Sequence, residues 1–201
     1  MTTRKSLVLT ALLAVSPVFL QADVADFVPL PQIVQAADGK FTLDAATTIV
    51  APTALANEAN FLANRLRVTA MLPAPVATSG KGITLAVDAS LPAEGYVLDV
   101  ATAGVSIRGG SPAGVFYGIQ TFLQCLPAAA LGREAVANAQ WSVTGLHVED
   151  APLTTWRGLH LDSSRHFQPK EFIFKFIDSM AAQKLNRMHW HLVDSEAWPS
   201  S

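Results

Sequence analysis

The sequence predicts an α+β domain followed by the beginning of an α/β domain. Between residues 27 and 150, short strand patterns are grouped with two helices that each carry one apolar stripe, which is typical of an α+β domain. Residues 155–201 then show a strand–helix–strand pattern, and such a unit builds a parallel sheet with a right-handed crossover. We place the boundary near Pro152, so that residues 23–152 form the first domain and residues 153–201 the second.

The elements of the first domain are predicted from apolar periodicity and from the Gly and Pro residues at their ends. Thr53 is a candidate N-cap for the first helix. Residues 102–104 are turn residues and predict a hairpin between two short strands. The predicted strands span residues 41–50, 83–87, 95–100, 105–108 and 141–150, and the predicted helices span residues 53–72 and 111–126.

The second domain is predicted to contain a strand over residues 156–162, a helix over residues 169–184 and a strand over residues 186–193. Pro169 suits the first helical position, because its missing N–H is no loss there. Lys184 is expected in the last turn of the helix, where the helix dipole favours a cation.

Polar and aromatic side chains follow both strands of the second domain. Arg165 and Phe167 come after the first strand, and Asp194, Glu196 and Trp198 come after the second. Ligands of parallel α/β sheets and barrels bind at the carboxyl ends of the strands. A guanidinium group can grip two oxygens at once, and a carboxylate can accept hydrogen bonds from two hydroxyls. These residue types therefore suit a polyhydroxylated ligand.

Two sequence segments in this region, WRGLHLDSSRHF and KLNRMHWHLVDSEAW, resemble the opening of the catalytic barrel of glycoside hydrolase family 20, the β-N-acetylhexosaminidases. Upstream, GYVLDV, GVSIRG and GVFYGIQTFLQCL resemble the small domain that precedes that barrel. The resemblance covers about residues 27–201. It implies an α+β N-terminal domain followed by the first βαβ of an incomplete (β/α)8 TIM barrel, since a whole barrel takes about 250 residues. We therefore expect the chain to be a fragment of a longer enzyme.

The resemblance also implies roles for two residues. Arg165 matches the family arginine that binds the ring hydroxyls of the sugar, and Asp194 matches the aspartate that lines the pocket and supports a downstream histidine and the catalytic acid. Without the resemblance, Arg165 could simply pair with an acidic neighbour, and Asp194 could be a solvated loop carboxylate or a helix cap.

The reaction that the resemblance implies is retaining and substrate-assisted, with the 2-acetamido group of the substrate attacking the anomeric carbon. It requires an adjacent Asp-Glu pair, which the barrel part of this chain lacks; Glu149–Asp150 has the reverse order and precedes the first barrel strand. We therefore expect the pair downstream of Ser201 and name no catalytic residue. The parent enzyme is expected to remove terminal β-linked N-acetylglucosamine or N-acetylgalactosamine from oligosaccharides such as chitin fragments, without a cofactor, while this chain alone is inactive.

Two other classes of function remain open at this stage. One is a non-catalytic carbohydrate-binding protein. The other is a metal-dependent barrel hydrolase, in which His189 and His191 would bind a metal together with His160 and Asp162 on the neighbouring strand. An HxH pair is a weak signal, and the resemblance makes these histidines packing residues around Asp194, so no metal is expected.

The chain departs from the common family pattern at Ser195, where a second aspartate usually follows the first. Serine cannot supply a second charge, so we assign Ser195 no role. Glu196 is interpreted as a loop carboxylate rather than a catalytic acid. Trp198 is either a pocket wall or a core residue.

Residues 1–22 have the composition of a secretory signal peptide. Arg4 and Lys5 precede an apolar segment over residues 7–20, which is too short for a transmembrane helix. A disordered or membrane-tethering N-terminus is the alternative. The signal predicts a periplasmic or secreted protein that has no contact with a membrane after the signal is removed. The net charge of −2 gives no electrostatic footprint for nucleic acid.

The single cysteine, Cys125, lies in an apolar helical pattern and is expected to be buried and inert. Four glycines nearby could suggest a phosphate-binding loop, but their spacing does not match G-x-G-x-x-G and no GK[ST] follows. They are better explained by a turn and by close helix–sheet packing. These glycines are Gly109, Gly110, Gly114 and Gly118.

Overall fold

The computed structural model describes residues 27–136 and 139–194. Its N-terminal part, from Ile33 to Asp150, contains seven strands and two helices. In chain order these are β1 (Ile33–Thr42), β2 (Thr48–Val50), α1 (Ala56–Ala70), β3 (Val76–Ala77), β4 (Gly82–Val87), β5 (Tyr96–Ala101), β6 (Gly104–Gly109), α2 (Pro112–Cys125) and β7 (Ser142–Asp150). No helix within the described residues is long and apolar enough to cross a membrane.

The seven strands form one mixed sheet in the order β1-β7-β5-β6-β4-β2-β3. Neighbours from β1 to β6 are antiparallel, and those from β6 to β3 are parallel. Both helices pack against the sheet and against each other. Apolar residues alternate along the strands and so point toward the helices, and most residues of α2 are buried. Burial of each such side chain stabilises the fold by about 1.5–3 kcal/mol. The core includes Ile83, Leu85, Leu98 and Ile107 from the strands and Leu62, Leu66, Ile119, Phe122 and Leu123 from the helices.

The C-terminal part is a βαβ unit made of β8 (Gly158–Asp162), α3 (Lys170–Ala182) and β9 (Arg187–His191). β8 and β9 are parallel, with Gly158 opposite Arg187 and Asp162 opposite His191. The predicted strand–helix–strand order is therefore confirmed, with shorter elements. The prediction for Pro169 was wrong by one position: its ψ of 154° is extended, so it is the N-cap, and its carbonyl accepts from the amides of Phe172 and Ile173.

The prediction of one strand over residues 41–50 was wrong. β1 begins earlier, at Ile33, and β2 is a separate strand. A turn separates them, in which the Asp44 side chain accepts a hydrogen bond from the amide of Ala46 at 2.9 Å, and the Thr47 hydroxyl accepts one from the amide of Asp44. Asp is a strong turn former because its side chain can bond to the backbone two residues on.

The prediction for the start of α1 was wrong, whereas the predictions for the start of α2 and for the hairpin are confirmed. The Thr53 side chain makes no capping bond; residues Thr53–Leu55 form a short 3₁₀ turn and Leu55 is the N-cap of α1. At α2, Ser111 accepts a hydrogen bond from the amide of Ala113, and Pro112 occupies the first turn. The predicted hairpin is confirmed, because β5 and β6 are antiparallel neighbours.

Close packing explains the glycines that follow β6. A Cβ atom at Gly109 would overlap the backbone nitrogen of Val115, and one at Gly114 would overlap the carbonyl oxygen of Gly95. Only glycine lets the start of α2 come this close to the sheet. Cys125, near the end of α2, is buried as predicted, and burial raises the pKa of its thiol to about 12.

Lys184 links the N-terminal part to the βαβ unit. The prediction that Lys184 lies in the last turn of α3 was wrong. The helix ends at Ala182, and Lys184 adopts a left-handed backbone conformation with φ of 58°. Its ammonium group is buried and donates to the Tyr96 hydroxyl at 2.7 Å and to the Asp150 carboxylate at 3.1 Å. Burial lowers the pKa of Lys184, and the negative charge of Asp150 opposes this effect. The cation is therefore held by partners on β5 and β7 rather than by a helix dipole.

Loss of the Asp150 charge should destabilise the protein strongly. We expect Asp150→Asn to lower the free energy of unfolding by about 3 kcal/mol, because it leaves the Lys184 cation buried without its counter-charge. The matched control is Asp178→Asn, which removes an exposed ion pair to Arg133 of 2.8 Å and should cost less than about 1 kcal/mol. Urea unfolding measures both values. Equal losses in the two variants would contradict this account of Lys184.

Candidate functional site

The carboxyl ends of β8 and β9 lie side by side. The strands are in parallel register, and the amide of Ser163 donates to the carbonyl of His191 at 2.9 Å, which extends the pairing past β8. Arg165 and Asp194 each lie three residues beyond the end of their strand. The Arg165 Nη2 atom is 3.1 Å from Asp194 Oδ2. The structure thus brings the two residues predicted from the sequence into direct contact.

Asp162, the last residue of β8, organises the loop that carries Arg165. Its Oδ1 atom accepts three hydrogen bonds, from the Ser164 amide at 3.0 Å, the Ser164 hydroxyl at 2.6 Å and the Arg165 amide at 3.2 Å. The bond from the Ser164 hydroxyl is the main reason that the pKa of Asp162 is lowered to about 2. From the sequence, Asp162 is expected only as a possible metal ligand. The Asp-x-Ser spacing, which is typical of a side-chain-to-backbone turn, could have indicated this role.

The three strand histidines form a row beside this loop. The imidazole rings of His160 and His189 are stacked with their centroids 4.6 Å apart, and the ring of His191 lies 6.1 Å from that of His160. His191 Nδ1 lies 3.2 Å from both Asp162 Oδ1 and the Ser164 hydroxyl. Within residues 27–136 and 139–194, no three side chains of the metal-binding types come together as a metal site. The contacts of these histidines are ring stacking and hydrogen bonds rather than shared coordination of a metal ion.

Of the other residues singled out from the sequence beyond the two strand ends, Phe167 lies within the described residues. Phe167 is 66% exposed, which leaves its ring available at the edge of the loop. Ser195, Glu196 and Trp198 lie outside the described residues, as does the predicted signal peptide. The indole nitrogen of Trp190 donates to the Ser163 hydroxyl at 2.9 Å, which connects the same loop to β9. This role of Trp190 was not predicted from the sequence.

Arg165 and Asp194 are the most suitable groups at this edge for binding a polar ligand. The Arg165 side chain is 75% exposed and that of Asp194 is 47% exposed, so the ion pair between them is solvated and weak, in the range of about 0–1 kcal/mol. A ligand with several hydroxyl groups can bind alongside this pair, because the guanidinium has five N–H donors and the pair uses few of them.

Two family models match the chain. Residues 25–151 match glycosyl hydrolase family 20, domain 2, and residues 155–201 match the catalytic domain of the same family.

The relatives among curated proteins include several beta-hexosaminidases. The chain is 41% identical over 180 residues to one from Porphyromonas gingivalis, a match that covers 86% of this chain and 23% of that protein. It is 31% identical over 177 residues to one from Vibrio vulnificus, covering 87% of this chain and 19% of that protein. The chain thus spans less than a quarter of the length of these relatives.

Solved structures of the same kind superpose on the chain. A mutant beta-hexosaminidase of Streptomyces plicatus, in complex with its product GlcNAc, matches with a TM-score of 0.83 and 34% identity over 91% of this chain and 37% of that one. The β-N-acetylhexosaminidase of Streptomyces coelicolor matches with a TM-score of 0.82 and 32% identity over 89% of this chain and 37% of that one. Since the first family model alone covers more than half of the sequence, the chain belongs to glycoside hydrolase family 20.

Proposed function

We propose that the protein of which this chain is a part is an exo-acting β-N-acetylhexosaminidase. It removes terminal β-linked N-acetylglucosamine or N-acetylgalactosamine from oligosaccharides, including chitin fragments. Family membership and the beta-hexosaminidase relatives support this reaction class. A relative from Vibrio harveyi, 34% identical over 103 residues, is an N,N'-diacetylchitobiase, which supports the chitin fragments. The contact between Arg165 and Asp194 at the carboxyl edge of the parallel strands is the observation that carries the proposal.

The proposed binding mode follows from the geometry of that edge. The guanidinium group of Arg165 donates to neighbouring ring hydroxyls of the terminal sugar, because its planar fork matches two oxygens at once. Asp194 keeps the guanidinium oriented at 3.1 Å, and Asp162 fixes the backbone of the loop from which Arg165 projects. Phe167, two residues further along the chain, is exposed and offers an apolar surface.

We also place the βαβ unit at the beginning of a (β/α)8 barrel. The parallel pairing of β8 and β9 and the burial of Leu161 on β8 and Ile173 on α3 support this assignment. Several large apolar side chains of the unit remain exposed, as expected where further barrel strands and helices would pack. These are Trp156, Leu159, Phe174, Ile177 and Trp190.

We infer that the catalytic groups belong to a part of the longer enzyme that this chain does not cover. The chain spans less than a quarter of the two beta-hexosaminidases named above. The reaction of the family is substrate-assisted, and the resemblance implies that it needs a Glu as general acid and an Asp that stabilises the acetamido group. The 201-residue chain alone is therefore inactive. The N-terminal residues 1–22 act as a secretion signal, so the mature enzyme works in the periplasm or outside the cell.

Turnover of an aryl N-acetyl-β-glucosaminide tests this function. The full-length protein should hydrolyse it, and the isolated 201-residue chain should not. Arg165→Met should lower kcat/KM by about 100-fold, which corresponds to two charge-assisted hydrogen bonds of about 1.5 kcal/mol each. The control Arg133→Met removes another exposed arginine that also pairs with an aspartate and should leave kcat/KM unchanged.

The other possible results each point to a different conclusion. Turnover by the isolated chain would contradict the location of the catalytic pair. Sugar binding without turnover by the full-length protein would favour a non-catalytic carbohydrate-binding protein. Stoichiometric zinc and loss of activity with a chelator would favour the metal-dependent hydrolase.

The Asp162 carboxyl group should titrate far below the usual range. In the folded protein its pKa is about 2 rather than 3.8, so the stability that its bonds contribute is complete above about pH 4 and is lost as the pH falls through 2. We expect a titration midpoint near pH 2 by carbon-detected NMR of labelled aspartate. Ser164→Ala should raise the midpoint, since it removes the hydrogen bond that contributes most to the lowered pKa of Asp162. A midpoint near pH 4 in both proteins would show that the Asp162 turn is not formed.

A further inference from the structure

A second polar cluster lies at the opposite, amino ends of β8 and β9, and the proposed function does not use it. Arg157 directly precedes β8, and Asn186 directly precedes β9. Glu94 and Tyr117 reach these two residues from the N-terminal part of the protein. We call these four residues the amino-end cluster.

Glu94 contacts both strands through one carboxylate. Its two oxygens accept from Arg157 Nη1 at 3.0 Å and Arg157 Nη2 at 3.2 Å, which is a bidentate ion pair. Its Oε1 atom also accepts from the Asn186 side-chain amide at 3.1 Å and from the Tyr117 hydroxyl at 3.1 Å. The bonds from Arg157 are the main reason that the pKa of Glu94 is lowered. A single side chain outside the βαβ unit therefore binds the start of each strand.

The Arg157 side chain has an acceptor for every donor. Besides the two bonds to Glu94, Nε donates to the carbonyl of Lys184 at 3.0 Å, Nη1 to that of Thr154 at 2.6 Å and Nη2 to the Tyr117 hydroxyl at 3.1 Å. The guanidinium has five N–H groups, so none is left over. Because the Arg157 side chain is only 14% exposed, loss of Glu94 would leave its charge largely desolvated and without this partner.

One register connects the amino-end cluster to the proposed sugar-binding pair. The alignment that sets Gly158 opposite Arg187 also sets Arg157 opposite Asn186. The backbone amide of Arg157 donates to the side-chain oxygen of Asn186 at 3.1 Å, and the backbone amide of Asn186 donates to the carbonyl of Arg157 at 2.8 Å. Continued to the other end, the same alignment sets Arg165 opposite Asp194. A slip of one residue would turn the side chains of one strand to the other face and separate that pair.

A contact outside the two strands is needed to fix the register of β8 against β9. The strands are five residues long, and a helix rather than a tight turn connects them, so no hairpin fixes their alignment. We propose that Glu94 is a positioning residue: by binding Arg157 and Asn186 together, it sets the register of β8 against β9 and thereby the contact between Arg165 and Asp194. Its effect on sugar hydrolysis rests on the proposed function, whereas its effect on register does not.

Hydrogen exchange measured by mass spectrometry tests the register in the full-length protein. In Glu94→Ala, peptides covering residues 158–165 and 187–194 should exchange about tenfold faster than in the wild type. The isosteric Glu94→Gln should show a smaller increase in the same peptides, and it decides the question if Glu94→Ala does not fold. Asp178→Asn is the matched control, because it removes another carboxylate–arginine pair between the same two parts and should change exchange in these peptides less than about twofold. Unchanged exchange in both Glu94 variants would overturn the proposal.

A double-mutant cycle separates positioning from a general loss of structure. Glu94→Ala should lower kcat/KM about tenfold when Arg165 is present and should have no further effect in an Arg165→Met background, since both changes act on the same contact. Equal losses in both backgrounds would overturn the positioning role. If the wild-type protein has no hydrolase activity, the proposed function fails, and the hydrogen-exchange comparison still decides whether Glu94 sets the register.

Discussion

The parallel, in-register pairing of β8 and β9 is the constraint on which the candidate site depends. Parallel strands end at the same edge of a sheet, so the residues that follow them meet there. This is why Arg165 and Asp194, which are far apart in the chain, come within 3.1 Å of each other. The Asp162 turn at the end of β8 then fixes the direction in which the Arg165 loop leaves the strand.

The N-terminal part of the chain supports this pairing from the other end of the strands. Its strands and helices share one buried core, and Glu94, Tyr96 and Asp150 extend from this part to the βαβ unit. Asp150 and Tyr96 bind the buried cation of Lys184, and Glu94 binds the residue that precedes each strand. The polar groups at this contact are mutually satisfied, which is the condition under which buried charges are tolerated.

Patterns within a short stretch of sequence predicted most of the fold correctly. The β5–β6 hairpin and the βαβ unit follow from local periodicity and turn residues, which do not depend on distant partners. The contact between Arg165 and Asp194 could be expected for the same reason, because strand register carries the local prediction across the sheet. The break between β1 and β2 was missed because the turn at Asp44 is short and lies between two segments that favour strands, residues 41–43 and 47–50.

The sequence could not predict features that depend on partners far along the chain. Lys184 satisfied a local rule for helix ends, but its partners Tyr96 and Asp150 lie 88 and 34 residues away. Glu94 lies 63 residues from Arg157, in a loop with no motif of its own. Its role becomes visible only when both parts of the chain are placed together, since a buried guanidinium takes whichever acceptors the fold brings to it.

A crystal structure of the full-length protein with N-acetylglucosamine would show where the sugar binds. We expect the sugar at the carboxyl edge of β8 and β9, with the Arg165 guanidinium within about 3 Å of two ring hydroxyl oxygens and still in contact with Asp194. A sugar bound elsewhere, with Arg165 paired to Asp194 and touching no ligand atom, would contradict the assignment of this edge as the binding site.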